Sequence, residues 1–138
     1  MINVYETLKS KHYFIDNSFL QSYCRLIERN TKTSRKYGVT HSHHIIPKSW
    51  FKLTNVTVDN SRSNLVNLSK REHTLAHYYL CLCTEDPFKF ANELALSCLK
   101  SKYLKNKADK QLLEHLPLYN YIYEDYMYKL KSNYKLYD

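Results

Sequence analysis

Apolar positions along this chain recur mostly every three or four residues, and two short stretches read as strands instead. Phe19, Leu20, Tyr23, Leu26 and Ile27 share one helical face, and Asp16-Asn17-Ser18 ahead of them supplies candidate N-caps for a helix running to about Asn30. A polar, basic stretch, Thr31 to Gly38, ends in the single glycine and reads as a loop leading into a strand. Val39 to Pro47 holds β-branched residues and stops at proline, which predicts a short strand. Trp50 to Asn60 reads as a loop with at most a little strand, closing on the turn cluster Asp59-Asn60-Ser61. Leu65 to Leu68 predicts a second strand.

Ser69, with Glu72 three residues on, forms the signature of a capping box. The helix it opens carries His73, Leu75, Ala76, Tyr79, Leu80 and Cys83. Asp86 as cap and Pro87 as first helical residue begin another helix through Phe90, Ala91, Leu94, Ala95, Cys98 and Leu99. Lys105 to Asp109 reads as a polar connection. A last helix starts near Pro117 and carries Leu118, Ile122, Tyr126 and Leu130. The predicted fold class is α+β: mostly helical, with one small β-hairpin. The chain of 138 residues fits a single domain (1–138), with the hairpin and its helix near 39–84 and a helical extension near 87–135.

Composition alters this picture in few places. A 43% hydrophobic, 14% aromatic content is that of a chain that folds. No window has the ~20 apolar residues of a membrane span, and the first residues lack the apolar core of a secretion signal; no membrane partner and a cytoplasmic location are the expectations. Cys24, Cys81, Cys83 and Cys98 form no C-x-x-C pair, so neither a disulfide framework nor a thiolate zinc knot is expected; Cys81 and Cys83 read as small core residues. The formal charge of +8 favours a polyanionic partner.

Five of the seven histidines fall in the strand, loop, strand, helix region. His73 and His77 stand four apart on a predicted helix, so both imidazoles leave from one face and can grip one divalent metal. His43 and His44 are neighbours on a predicted strand and point to opposite sides, so one can face a metal while the other faces a substrate. His41 shares the side of His43; a peripheral role is favoured over that of a fourth ligand. His12 and His115 lie outside this region. Each half of the arrangement is weak alone, and their combination is specific.

The run His43-His44-Ile45-Ile46-Pro47-Lys48, then Asn64-Leu65-Val66-Asn67-Leu68, then Glu72-His73 and Ala76-His77, resembles the HNH family of endonucleases, and in its local wording the small HNH proteins encoded by phages. The abundance of Lys, Asn and Tyr, all with AT-rich codons, agrees with a mobile-element origin. The resemblance is strong over residues 41–80. It implies a ββα-metal core. By position, it implies His44 as general base, His43, His73 and His77 as ligands of one divalent metal, and Asn64 as the brace of the loop that holds the base. Zinc, nickel, cobalt or manganese would suit three imidazoles, with Mg²⁺ or Mn²⁺ also open as the working ion.

The function this implies is hydrolysis of DNA phosphodiester bonds by a histidine-activated water, in a phage homing or nicking enzyme among other settings. An imidazole with an ordinary pKa near ~6.5 can take a proton from water, and a metal with open positions can stabilise charge on the phosphate and the departing oxygen. Lys48, Arg35, Lys36, Lys52, Lys70 and Arg71 flank the region as candidate phosphate contacts on double-stranded DNA, Lys48 foremost. The tyrosines from Tyr119 to Tyr128 cover several faces of one helix and read as packing with partial exposure. Two alternatives stand beside this reading: a non-catalytic, metal-stabilised nucleic-acid-binding module, and an RNase or restriction-type nuclease on the same fold. Monomer and homodimer are both open.

Overall fold

The computed structural model describes residues 3–32 and 40–135. Seven helices and two strands follow one another among them: α1 (Val4–Lys9), α2 (Ser18–Thr31), β1 (Thr40–His44), α3 (Lys48–Thr54), β2 (Leu65–Ser69), α4 (Lys70–Leu82), α5 (Phe88–Tyr103), α6 (Lys107–Glu114) and α7 (Tyr119–Lys131), with a 3₁₀ turn at Arg62–Asn64. The protein is mostly helical around a two-stranded antiparallel sheet, the predicted α+β class. Among the described residues no helix is long and apolar enough to cross a membrane.

The sheet is in register with His43 opposite Val66, His41 opposite Leu68 and His44 opposite Leu65. Val66 and Leu68 are buried, so His41 and His43 stand on the covered face, whereas Ser42 and Asn67 are exposed on the other. Helix α4 leaves β2 without a connecting loop. Ser69 ends the strand and caps the helix: its hydroxyl accepts from Glu72 N–H at 3.2 Å, and Glu72 Oε1 accepts from Ser69 N–H at 2.9 Å. The capping box read in the sequence is thus the hinge that delivers α4 directly under the sheet.

Helix α2 covers α4 and β2 with Leu20, Tyr23, Leu26 and Ile27, all fully or almost fully buried. Asn17 serves two helix ends at once. Its Oδ1 accepts from Phe19 N–H and Leu20 N–H at the start of α2, and its Nδ2 donates to Leu82 O at the end of α4. A second apolar cluster, with Tyr78, Cys81, Leu96, Leu104, Leu113, Tyr119 and Ile122, joins α4 to α5, α6 and α7.

Four expectations need correction. The stretch from Trp50 to Asn60 is a loop only beyond Thr54: α3 occupies Lys48–Thr54, seated by buried Trp50 and Phe51, with Trp50 Nε1 donating to His12 O at 2.8 Å. Left-handed Asn55 (φ 59°) ends it. Two turns with aromatic and β-branched residues carry little helical propensity of their own; burial holds them. The polar Lys105 to Asp109 stretch is mostly the start of α6, capped by Asn106, whose Oδ1 accepts from Asp109 N–H at 2.8 Å. Strand β1 ends at His44 rather than Pro47, because Ile45 N–H and Ile46 N–H both turn to Asn64. Helix α5 begins one residue later than expected, at Phe88, although Asp86 still caps it through Phe90 N–H. Helix α1 was not foreseen. All four cysteines are free, and Cys81 and Cys83 are core residues as read.

Candidate metal centre

His43 on β1 and His73 and His77 on α4 meet in a nearly equilateral triangle, with ring centroids 5.2, 5.2 and 5.1 Å apart. Each offers one ring nitrogen, and these three atoms lie within 4.8 Å of one another. The helix contributes two candidate donors because the four-residue step keeps both on the face turned to the sheet. The strand contributes the third because His43 pairs with buried Val66 on that covered face.

All three rings are held neutral. Burial, reinforced by the neighbouring His77, His73 and His44 rings, drives the His43 pKa well below the ordinary histidine value. Burial and His41 lower His73 to about 4. Burial and His73 lower His77 to about 3, against a smaller upward pull from the Asn92 side chain. Neutral imidazole is the form that donates a lone pair to a metal. His77 Nδ1 is buried with no hydrogen-bond partner. Three neutral nitrogen donors fit a borderline divalent ion such as zinc or nickel and leave positions open for water and substrate oxygen.

His44 stands outside the triangle, half-buried, on the opposite side of the strand. Its Nε2 lies 2.8 Å from Asn60 Oδ1. An amide oxygen only accepts, so Nε2 carries the proton and Nδ1 keeps its lone pair. In the sequence Asn60 is legible only as part of a turn, because sixteen residues separate it from His44.

Asn64 is 4% exposed and ties the loop down from both ends. Its Oδ1 accepts from Ile46 N–H at 2.8 Å, and its Nδ2 donates to Ile46 O at 3.2 Å and to Asp59 O at 3.0 Å. Its own carbonyl accepts from Ile45 N–H at 2.9 Å. The backbone that follows His44 and the loop that carries Asn60 are therefore clamped together by one side chain.

Two further groups touch the triangle. Tyr23 OH, from α2, lies 2.7 Å from His43 Nε2 and 2.7 Å from Ile45 O. His41 Nδ1 lies 2.9 Å from His73 Nδ1, with its ring 4.3 Å from that of Tyr103. His41 stays outside the three-histidine group. Beside it opens a cleft of about 500 Å³ lined by His41, Ser69, Lys70, Arg71, Lys102 and Tyr103.

The basic residues named from the sequence are distributed unevenly. Lys48 and Lys52 are exposed on α3 one turn apart. Lys70 and Arg71 line the cleft but also hold buried Asp109 at 2.8 and 3.3 Å, fastening α6 to the first turn of α4. Arg35 and Lys36 lie outside the described residues. Lys102, across the cleft, was not singled out; its place depends on how α5 crosses α4. Of the tyrosines on α7, Tyr119 is buried, whereas Tyr121, Tyr123 and Tyr128 are exposed. No family model, no curated protein and no solved structure matches this chain.

Proposed function

We propose that this protein is a metal-dependent endonuclease of the HNH kind that hydrolyses phosphodiester bonds in DNA. The observation that carries the reading is the pairing of His43 and His44. Adjacent residues of one strand put one neutral imidazole into a three-histidine donor set and leave the next with a free lone pair at a half-open surface. A purely structural site has no use for the second histidine held in that way.

His43, His73 and His77 would hold a divalent ion, which would supply Lewis acidity toward a phosphate oxygen and the departing 3′-oxygen. The chain's own residues do the remainder. His44 Nδ1 takes the proton from the attacking water, with Asn60 holding its other nitrogen. Asn64 keeps the loop in place so that base and ligand retain their separation. Lys102, Lys70 and Arg71 along the cleft, and Lys48 and Lys52 on α3, meet backbone phosphates, in keeping with the net charge of +8. Phosphate contacts of this kind position a duplex without reading its sequence.

The test is cleavage of supercoiled plasmid by wild type and His44→Ala in the presence of Mg²⁺, Mn²⁺, Ni²⁺ or Zn²⁺ and with EDTA. Metal-dependent nicking or linearisation by wild type, reduced about 10²–10⁴-fold in the variant, is the expected outcome for loss of a general base. Full cleavage by His44→Ala sinks the base assignment. A wild type that retains metal and binds DNA yet cuts neither DNA nor RNA points instead to a metal-stabilised binding module.

A further inference from the structure

The hydrogen bonds of Tyr23 leave only one arrangement of protons. Its hydroxyl sits 2.7 Å from a carbonyl oxygen, Ile45 O, and 2.7 Å from an imidazole nitrogen, His43 Nε2. The phenol is fully buried and carries a single proton. The carbonyl accepts and cannot donate. If the phenol gave its proton to His43, two oxygens would face each other at 2.7 Å with no hydrogen between them. The proton therefore goes to Ile45 O, and the phenol oxygen accepts from His43 Nε2–H. In a neutral imidazole with Nε2 protonated, the free lone pair is on Nδ1.

We infer that Tyr23 is a positioning residue for the metal centre: its hydroxyl holds His43 in the Nε2–H form so that Nδ1 is the donor atom offered to the triangle. The inference rests on the metal-centre reading above and adds to it a residue from a different element. Tyr23 belongs to α2, twenty residues before His43 and outside the strand, loop, strand and helix that carry the ligands. The same hydroxyl pins the carbonyl of Ile45, the residue that follows His44. Asn64 holds the N–H of that residue from the other side. One buried phenol thus ties the ligand side and the base side of β1 to a helix whose neighbouring residues Leu20, Leu26 and Ile27 are locked in the core. Metal-bound histidines commonly give their second N–H to an oxygen acceptor, and loss of that acceptor weakens metal binding about 10–100-fold.

The experiment uses the full chain and Tyr23→Phe, which keeps the ring and removes only the hydroxyl. Tyr78→Phe is the control, since Tyr78 is also buried, in the second apolar cluster, and its hydroxyl accepts from Leu118 N–H. Two quantities are read: the tautomer of His43 in metal-free protein, from long-range ¹⁵N–¹H NMR correlations, and Co²⁺ affinity, from visible absorption during titration. The expected result is Nε2–H for His43 in wild type and in Tyr78→Phe. In Tyr23→Phe that preference is lost and Co²⁺ affinity falls at least ten-fold, with far-ultraviolet circular dichroism unchanged. An Nδ1–H tautomer in wild type, or a Tyr23→Phe protein that keeps both tautomer and affinity, overturns the inference. Wild type that binds no Co²⁺ overturns the metal-centre reading together with it, whereas Co²⁺ binding with the wrong tautomer overturns the role of Tyr23 alone.

Discussion

At the residue scale, the roles at the candidate site are set by which nitrogen of each ring is already engaged. His44 and His43 are neighbours in sequence; Asn60 and Tyr23 each engage Nε2, which leaves Nδ1 free on both rings, on opposite sides of the strand. The His-His pair and the His73/His77 step were legible from spacing alone, because strand and helix periodicity dictate sides. Asn60 and Tyr23 were not legible, since nothing in an Asp-Asn-Ser turn or an apolar helix face announces a contact made by folding. Asn64 lies between these cases: the resemblance marked it, and the structure shows what it holds. Replacing it with alanine orphans the part-buried Ile46 N–H and leaves Asp59 O without its donor, so Asn64→Ala is expected to lose about 1–3 kcal/mol. The check is the urea midpoint; a midpoint equal to that of wild type refutes the clamp.

At the element scale, β2 and α4 share Ser69 as last residue of one and cap of the other. The direction of α4, and hence the place of His73 and His77, depends on that junction. Ser69→Ala removes the hydroxyl that accepts from Glu72 N–H, and a loss of about 1 kcal/mol is expected from thermal denaturation. Faster amide exchange confined to residues 70–73 should accompany it; protection unchanged there means that the cap is redundant. The short helix α3 shows the opposite dependence. Its signals were a proline, two aromatics and a lysine-rich surface, which is what a loop also looks like. Only the burial of Trp50 and Phe51 distinguishes the two.

At the scale of the whole molecule, a buried ionic cluster joins the α4–α5 turn, α5 and α7. Lys129 Nζ lies 2.8 Å from Asp86, 3.0 Å from Glu93 and 2.7 Å from Asp125. Three carboxylates around one ammonium leave excess negative charge, and Glu93 Oε2 has no donor. A proton retained on Glu93 and shared with Asp125 resolves both. Burial, with the hydrogen bond to Asp125 next, raises the Glu93 pKa from 4.5 to about 8. The folded state therefore binds a proton that the unfolded chain has released between those values. The stability it contributes is full below about pH 4.5 and declines as pH rises toward 8. Glu93→Gln, whose amide can donate to Asp125 at any pH, is expected to flatten the fall in stability between pH 5 and pH 8.5, as followed by urea denaturation across that range. Parallel curves for wild type and variant would falsify the shared proton.

The sequence by itself determined the α+β class, the approximate places of the two strands, an N-cap among Asp16, Asn17 and Ser18, the cap at Ser69, and the two pairs of histidines on their proper sides. Each follows from local rules: side-chain alternation along a strand, the 3.6-residue turn, and hydrogen bonds made within three residues. The tertiary structure decided that His43 of one pair meets both histidines of the other, which nitrogen each ring leaves free, that Lys70 and Arg71 also anchor Asp109, and that Trp50 opens into a core. Those outcomes turn on contacts between residues sixteen or more apart, where the free energy comes from burying apolar surface and satisfying polar groups that no local pattern records.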